Sequence, residues 1–342
     1  MKYKMLIFSL MATTLMSSNS WAGSGGSSGT CGDGCVWSLS DGELHISADS
    51  DHSTATMTNY TSSNYSQVPW YSQNSRILAV TVDNSITSIG TYAFYRNTRL
   101  SEVTLPNNSD FTSIGSYAFA SAGLHSITIP DSVTSIGNAA FRSNARLSSV
   151  TLPNNSDFTS IAAWTFEGCS MLASITIPDS VTSIGGRAFK NARSLASITI
   201  PDNVTSIGSN AFEGASALET IYIGDKVNAI NADAFKDISA NAKIYCQESS
   251  NRKNSSGEAL SCSDIISANN PNDLSKLQLY TRDENGNMML YSKNDKGQII
   301  SDGKVYTSLE KFKNGVDMKR IYTIDEANRV AGKTNQFRIK YR

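Results

Sequence analysis

The chain has 342 residues, with 29 Lys/Arg against 30 Asp/Glu and a formal net charge of −1. That length allows two or three domains, and the balanced charge argues against nucleic acid as the main partner. The charge is uneven: residues 271–342 hold 14 Lys/Arg and 9 Asp/Glu, so +5, which leaves 23–270 acidic.

Lys2 and Lys4 precede a mostly apolar run, Met5 to Leu15, that is too short to span a bilayer. Ser20-Trp21-Ala22 then places small residues where a signal peptidase reads. The pattern predicts a signal peptide over 1–22, cleavage after Ala22, export, and no transmembrane segment after cleavage. An uncleaved anchor helix is the alternative. No Cys follows Ala22 to carry a lipid. Residues 23–30, GSGGSSGT, read as a flexible leader. Export would place Cys31, Cys35, Cys169, Cys246 and Cys262 in an oxidising compartment.

The chain then repeats itself. SITIPDSVTSIG at 126–137 returns at 174–185, and again at 197–208 with Asn203 in place of Ser. Aligned on the Ile of "SI", the units fall at Ile89, Ile114, Ile136, Ile161, Ile184, Ile207 and Ile230. A Phe follows each one: Phe94, Phe119, Phe141, Phe166, Phe189, Phe212 and Phe235. Strand-like triplets open the units: VTV (80–82), VTL (103–105), ITI (127–129), VTL (150–152), ITI (175–177), ITI (198–200) and IYI (221–223). Lys243-Ile244-Tyr245 closes the series.

Each part has a physical reading. In I-T-I, β-branched residues alternate inward and outward as in a half-buried strand. Pro130, Pro178 and Pro201 end it, lacking the next donor. Val133-Thr134-Ser135-Ile136 reads as a second extended piece, with Ile127, Ile129, Val133 and Ile136 inward. Gly137 allows a tight corner, although Ala162 and Asn231 fill that place elsewhere. So the corner need not always be left-handed. Ala140-Phe141 is expected to start a single helical or 3₁₀ turn. One unit cannot bury its own apolar face, but stacked units can.

The pattern L-x-x-I-T-I-P-x-x-V-T-S-I-G-x-x-A-F resembles the leucine-rich repeat of BspA-like bacterial surface proteins. The resemblance covers about 76–245. CGDGCVWSLSDGELHIS followed by VPWYSQNSRILAVTV resembles the N-terminal cap of that family. The resemblance implies an α+β repeat solenoid, a leucine-rich repeat with one β-strand and a short helical turn per coil. It implies a secreted or displayed protein that binds other molecules, with adhesion to host or matrix proteins as the family's activity.

Solenoid geometry sorts the cysteines. Eight strands at roughly 4.8 Å spacing put its ends about 34 Å apart, whereas a disulfide needs Cα atoms within about 7 Å. Cys31–Cys35 and Cys246–Cys262 are therefore the expected pairs, one at each end. Cys169 reads as a buried structural thiol.

Residues 246–270 read as a C-cap and linker. LQLYTRDENGNMMLYSKNDKGQII (277–300) alternates around two turn signals and suggests an antiparallel meander. A capping box at Thr323-Ile324-Asp325-Glu326 predicts a helix over 324–331, and residues 337–341 read as a last strand. The domain reading is thus a signal peptide (1–22), a leader and N-cap (23–75), a solenoid (76–245), a C-cap (246–270) and a small β-rich C-terminal domain (271–342). The basic tail could contact an acidic envelope surface.

Catalytic equipment is scarce. His45, His52 and His125 stand in no metal-ligand spacing, and neither a G-x-S-x-G elbow nor a P-loop is present. No cofactor is implied. Asp131, Asp179, Asp202 and Asp225 recur once per coil as turn residues, with weak cation binding along that edge as the alternative. Outward strand positions form a Ser/Thr lattice from Ser126 to Thr199, flanked by Glu102 and Thr104 and ending at Thr220 and Tyr222. The position two before each Phe varies more: Tyr92, Tyr117, Ala139, Trp164, Arg187, Asn210 and Asp233. Tyr92, Tyr117, Trp164 and Tyr222 are the candidate ligand contacts, as aromatic hot-spot types. The expectation is an exported, non-enzymatic binding protein at the cell surface, or alternatively in the periplasm, with a protein or glycan ligand. An envelope structural component is the rival, and a hydrolase in the tail is the least favoured reading.

Overall fold

The alternation in the repeat does what a half-buried strand requires. Ile127 and Ile129 are buried, while Ser126 and Thr128, which alternate with them, are exposed. Val133 and Ile136 are buried as well. The computed structural model describes residues 27–247, 253, 257–267, 277–282, 288–293, 299–301 and 304–306. The expected signal peptide, the turn signals at 284–287 and 294–297, the helix at 324–331 and the strand at 337–341 lie outside the described residues.

Three parallel ladders join successive coils of a β-solenoid of about 7 turns. In the first, strands pair like with like, as in Ser149↔Ser126, Val150↔Ile127 and Thr151↔Thr128. This ladder pairs the triplets at 80 and 103, at 127 and 150, and at 198, 221 and 244, each step being 23 residues. It breaks between 103 and 127 and between 150 and 175, intervals of 24 and 25 residues. Residues 174–177 lie outside any strand, although Ile175 and Ile177 are buried. The second ladder joins the two-residue strands Ser88–Ile89, Ser113–Ile114 and Ser135–Ile136, then Ser160–Ile161, Ser183–Ile184, Ser206–Ile207 and Ala229–Ile230.

The third ladder corrects the expected helical turn. Around each Phe the chain makes consecutive β-turns instead, such as Ala93 N–H to Gly90 O, Tyr95 N–H to Tyr92 O and Asn97 N–H to Phe94 O. The alternate N–H groups turn outward to the next coil: Tyr92 to Ser116 O (3.0 Å), Phe94 to Ala118 O (2.7 Å) and Arg96 to Ala120 O (2.9 Å). A helix would have kept those donors within one coil. The turns require left-handed backbone two residues before and two after every Phe. Tyr92 (φ 62°) and Arg96 (φ 61°) flank Phe94, and Asp233 and Asp237 flank Phe235. Gly fills this place only at Gly168 and Gly214. Each non-Gly residue held there costs on the order of 1 kcal/mol. The regular inter-coil hydrogen bonds offset that strain.

The α+β description therefore gives way to a β-solenoid with little helix, Cys262–Ser267 being the one α-helix among the described residues. The corner glycines serve close approach, since Gly137 and Gly208 have no positive φ. A Cβ on Gly137 would lie 2.5 Å from the Ser116 nitrogen, and one on Gly208 2.3 Å from the Gly186 nitrogen. The longer NNSDF turns close as Asx-turns. Asn108 Oδ1 accepts the N–H groups of Asp110 and Phe111, and Asn155 Oδ1 those of Asp157 and Phe158. Phe111 and Phe158 are then buried where other coils have Val.

The seven Phe rings form one column through the core. Neighbouring centroids are 5.0–5.6 Å apart and the rings are within 14° of parallel. Trp70 stacks on Phe94 at 5.5 Å, and its indole N–H donates to Ala93 O. Trp37 meets Trp70 edge-on. An antiparallel hairpin seals this end: Ser27–Gly32, Cys35–Ser40 and Glu43–Ala48, the last running parallel to Ala79–Val82. Ser27–Thr30 thus form a strand rather than part of a flexible leader. At the other end, Ile265 and Ile266 of the Cys262–Ser267 helix are buried. Both expected disulfides are present, Cys31–Cys35 and Cys246–Cys262.

The meander strands Leu277–Arg282, Met288–Lys293 and Ile299–Ser301 are antiparallel as expected, with a fourth at Lys304–Tyr306. Leu277–Arg282 pairs parallel to Lys243–Gln247, so these strands extend the solenoid's own sheet. The described residues therefore show no separate sheet for a C-terminal domain.

Cys169 is wholly buried, with its sulfur 3.3 Å from Phe141 O, and burial pushes the thiol up to about 12. In the unfolded chain the same thiol titrates near 8.5. The folded state therefore keeps a proton that the unfolded state releases, and stability falls as pH rises through that window. Two outcomes follow. Phe141→Ala lowers unfolding free energy by about 3–5 kcal/mol in urea titrations. The stability difference between wild type and Cys169→Ala is flat below about pH 8 and then shrinks by up to about 1.4 kcal/mol per pH unit on the alkaline side.

Candidate interaction surface

The position two before each Phe leaves the coil from left-handed backbone, with φ between 56° and 62° in all seven coils. Equal backbone geometry sends these side chains out in register, so identical residue types meet. Tyr92 and Tyr117 stack at 4.8 Å and 7° from parallel. Both are only half-buried. Trp164 is also half-buried but stands two coils further on, with the small, buried Ala139 between it and Tyr117. The structure therefore brings two of the expected aromatic residues together and leaves the third apart.

Three further tyrosines join that pair. Tyr65 stacks on Tyr92 at 6.0 Å and meets Tyr95 edge-on at 4.9 Å and Tyr71 at 5.6 Å. Tyr95 lies edge-on to Tyr92 and Tyr117. The Arg96 guanidinium sits over the Tyr95 ring, 5.2 Å from its centroid, a cation–π contact. Burial, then the neighbouring Tyr117 and Tyr95, raise the Tyr92 phenol above its usual range. Tyr95 and then Tyr65 raise the Arg96 guanidinium. The result is a half-exposed patch of five phenols and one cation, fixed to the first coils and the N-terminal cap. Tyr95 was findable as the residue after Phe94. Tyr65 and Tyr71 were hidden in the cap, whose short 3₁₀ segments Tyr65–Gln67 and Tyr71–Gln73 the repeat does not predict.

Tyr222 belongs to a different environment. It stacks on Tyr245 at 4.9 Å and is buried with Tyr245 and Tyr280, with Leu290 against them. The Tyr280 hydroxyl donates to Ile223 O at 3.4 Å. Burial raises the phenols of Tyr222 and Tyr245. Tyr222 is thus a packing residue here rather than an exposed contact, because the outer sheet face is covered at this end. The Ser/Thr lattice before it stays open: Ser126, Thr128, Ser149, Thr151, Ser174, Thr176 and Thr199 are exposed.

The remaining candidates serve the frame. Asp131 Oδ1 accepts the Asn154 N–H at 2.8 Å, and Asp202 Oδ1 that of Asp225 at 3.3 Å, which is turn chemistry between coils. No group of three or more His, Cys, Asp or Glu that could hold a metal occurs among the described residues. His52 Nδ1 pairs with Asp49 at 2.6 Å on an exposed loop. From Phe141 onward the residue after each Phe adds an alternating charge column. Arg142 lies 2.8 Å from Glu167, without the alignment of a hydrogen bond, and Lys190 lies 2.7 Å from Glu213. No helix among the described residues is long and apolar enough to cross a membrane.

No curated protein matches the chain. Among solved structures it is similar to a leucine-rich repeat protein from Eubacterium ventriosum ATCC 27560. That match has 21% identity, covers 67% of this chain and 86% of the other, and has a TM-score of 0.30. A leucine-rich repeat protein from Bacteroides ovatus ATCC 8483 matches at 20% identity over 63% and 70%, with a TM-score of 0.36. A leucine rich cell surface protein from Faecalibacterium prausnitzii A2-165 matches at 19% identity over 64% and 88%, with a TM-score of 0.26. The family model described as "BspA type Leucine rich repeat region (6 copies)" matches residues 70–184 and 159–286. With that match over most of its length, the chain belongs to the BspA type leucine rich repeat family.

Proposed function

We propose that this chain is an exported binding protein that meets its partner through the tyrosine patch of its first coils, and that it is not an enzyme. The observation that carries the reading is the patch itself. Tyr65, Tyr71, Tyr92, Tyr95 and Tyr117 are half-exposed and held by ring contacts to one another. Tyrosines fixed this way supply large contact area at low entropic cost on binding, the property that makes them interface hot spots. Family membership supports a surface binding role in general terms. The signal-like N-terminus supports export, to the cell surface or the extracellular space. The tail from 271 onward would serve attachment to the envelope through its basic residues.

The test uses purified chain on cultured epithelial cells and on immobilised fibronectin and collagen. Tyr92→Ala/Tyr117→Ala should bind at least 10-fold more weakly, with an unchanged urea midpoint for the Phe column. Equal binding by the variant would remove the patch from the function. In intact producing cells, added protease should cut the repeats. A chain released only by osmotic shock would place it in the periplasm and count against adhesion.

A further inference from the structure

Between each Phe and the next strand the chain rounds a corner of the solenoid. Over the five segments 95–101, 120–125, 142–148, 167–173 and 190–196 the charged side chains of this corner are almost all basic. Glu167 is its one acidic residue, and Glu167 is ion-paired with Arg142. Arg99 and Arg146 occupy the same place in the first and third coils, each just before the buried Leu, and Arg193 lies one residue earlier in the fifth. All three are exposed, and none is ion-paired among the described residues. Arg76 takes the same place one coil earlier, with its guanidinium donating to Gln73.

The spacing comes from the fold. Arg99 and Arg146 are two coils apart, about 10 Å at the usual strand separation of roughly 4.8 Å, and so are Arg146 and Arg193. The coil between Arg99 and Arg146 lacks one residue and puts Gly123 at the corner. A Cβ there would meet Thr98 O at 2.4 Å, so no side chain can stand between the two arginines. Inter-coil bonds hold the corner in line: Arg99 Nη1 to Ser75 O, Ser170 Oγ to Ala145 O and Ser194 N–H to Ser170 O. The two large apolar side chains exposed among the described residues sit on the same ridge. Leu78 (40%) lies two residues beyond Arg76, and Met171 (54%) lies between the coils of Arg146 and Arg193. The ridge starts at the tyrosine patch, since Tyr71 and Gln73 share one short 3₁₀ segment and Arg96 lies over Tyr95.

We propose that this ridge binds a linear acidic polysaccharide, laid along the solenoid axis from the tyrosine patch to Arg193. The inference rests on the binding role proposed above and names its ligand class. A linear glycan with at least one carboxylate or sulfate in every disaccharide presents an equivalent anion at close to the two-coil interval. Arginine forks suit such anions. Its C–H faces suit Leu78, Met171 and the tyrosine rings, so charge and apolar contact would alternate on both partners. A second copy of this chain fits less well. Its exposed carboxylates, such as Asp131, Asp157, Asp179 and Asp202, recur in nearly every coil, not in every second one.

The test measures binding of the full exported chain to immobilised heparin and polygalacturonate, with dextran and poly-L-glutamate as comparisons. Both acidic glycans should bind, more weakly as salt rises, and dextran should not. Arg99→Gln/Arg146→Gln/Arg193→Gln should lose at least 30-fold, and Arg146→Gln alone about 5-fold should the triple variant not fold. Tyr92→Ala/Tyr117→Ala should weaken heparin binding but not any poly-L-glutamate binding. Poly-L-glutamate held as tightly as heparin, and indifferent to the tyrosines, would make the ridge a site for acidic protein and overturn the proposal. So would dextran binding, no glycan binding at all, or a concentration-dependent dimer abolished by the triple variant. Cell binding that survives the triple variant but not the tyrosine variant would keep the adhesion reading and sink this one.

Discussion

One contact repeats through the molecule and the rest follows from it: a Phe ring lying flat on the Phe ring of the next coil. Stacking at this distance requires coils that superpose, and superposition places each backbone donor opposite the same acceptor in every coil. The three hydrogen-bonded ladders are consequences of that requirement. So are the corner glycines, which let backbones approach to within contact, and the left-handed residues on either side of each Phe. A column also has two open ends. Trp70 and Trp37 cover one, with the Cys31–Cys35 hairpin. The helix held by Cys246–Cys262 covers the other, with the sheet running on into the meander.

A core this uniform frees the surface to vary. Positions that point out at the same angle in every coil become columns, and each column has its own chemistry. One holds stacked tyrosines at the start, one alternates Arg142, Glu167, Lys190 and Glu213, one carries hydroxyls and one carries Arg99, Arg146 and Arg193 two coils apart. Interactions along a column run between neighbouring coils, as in the ion pairs Arg142–Glu167 and Lys190–Glu213. A partner reading such a surface would contact several coils at once, so modest contacts can sum without any pocket.

Coil length is where packing and surface chemistry meet. The NNSDF turns lengthen the steps from 103 to 127 and from 150 to 175, where the strand ladder breaks, and the residue missing after Phe119 puts Gly123 between Arg99 and Arg146. The longer NNSDF turns keep their backbone satisfied through Asn108 and Asn155, and they still deliver Phe111 and Phe158 to the core. Irregular coils are therefore tolerated where a side chain can replace a lost backbone partner. They mark the places where the surface departs from its copy.

The amino-acid sequence by itself determined the period, the buried face and the ends. Ile127, Ile129, Val133, Ile136 and Phe141 were legible as core because inward positions recur at fixed offsets, and the disulfides because a linear array keeps its ends apart. The tertiary structure alone decided the rest. It turned the expected helical turn into β-turns, because alternate N–H groups find better acceptors on the next coil than within their own. It gathered Tyr65 and Tyr71 from the cap onto Tyr92 and Tyr117, a contact between segments with no common repeat. It also buried Tyr222, whose place in the pattern is outward, beneath the end of the sheet. Periodicity tells which way a side chain leaves its own coil. What it meets there depends on neighbours that the period does not contain.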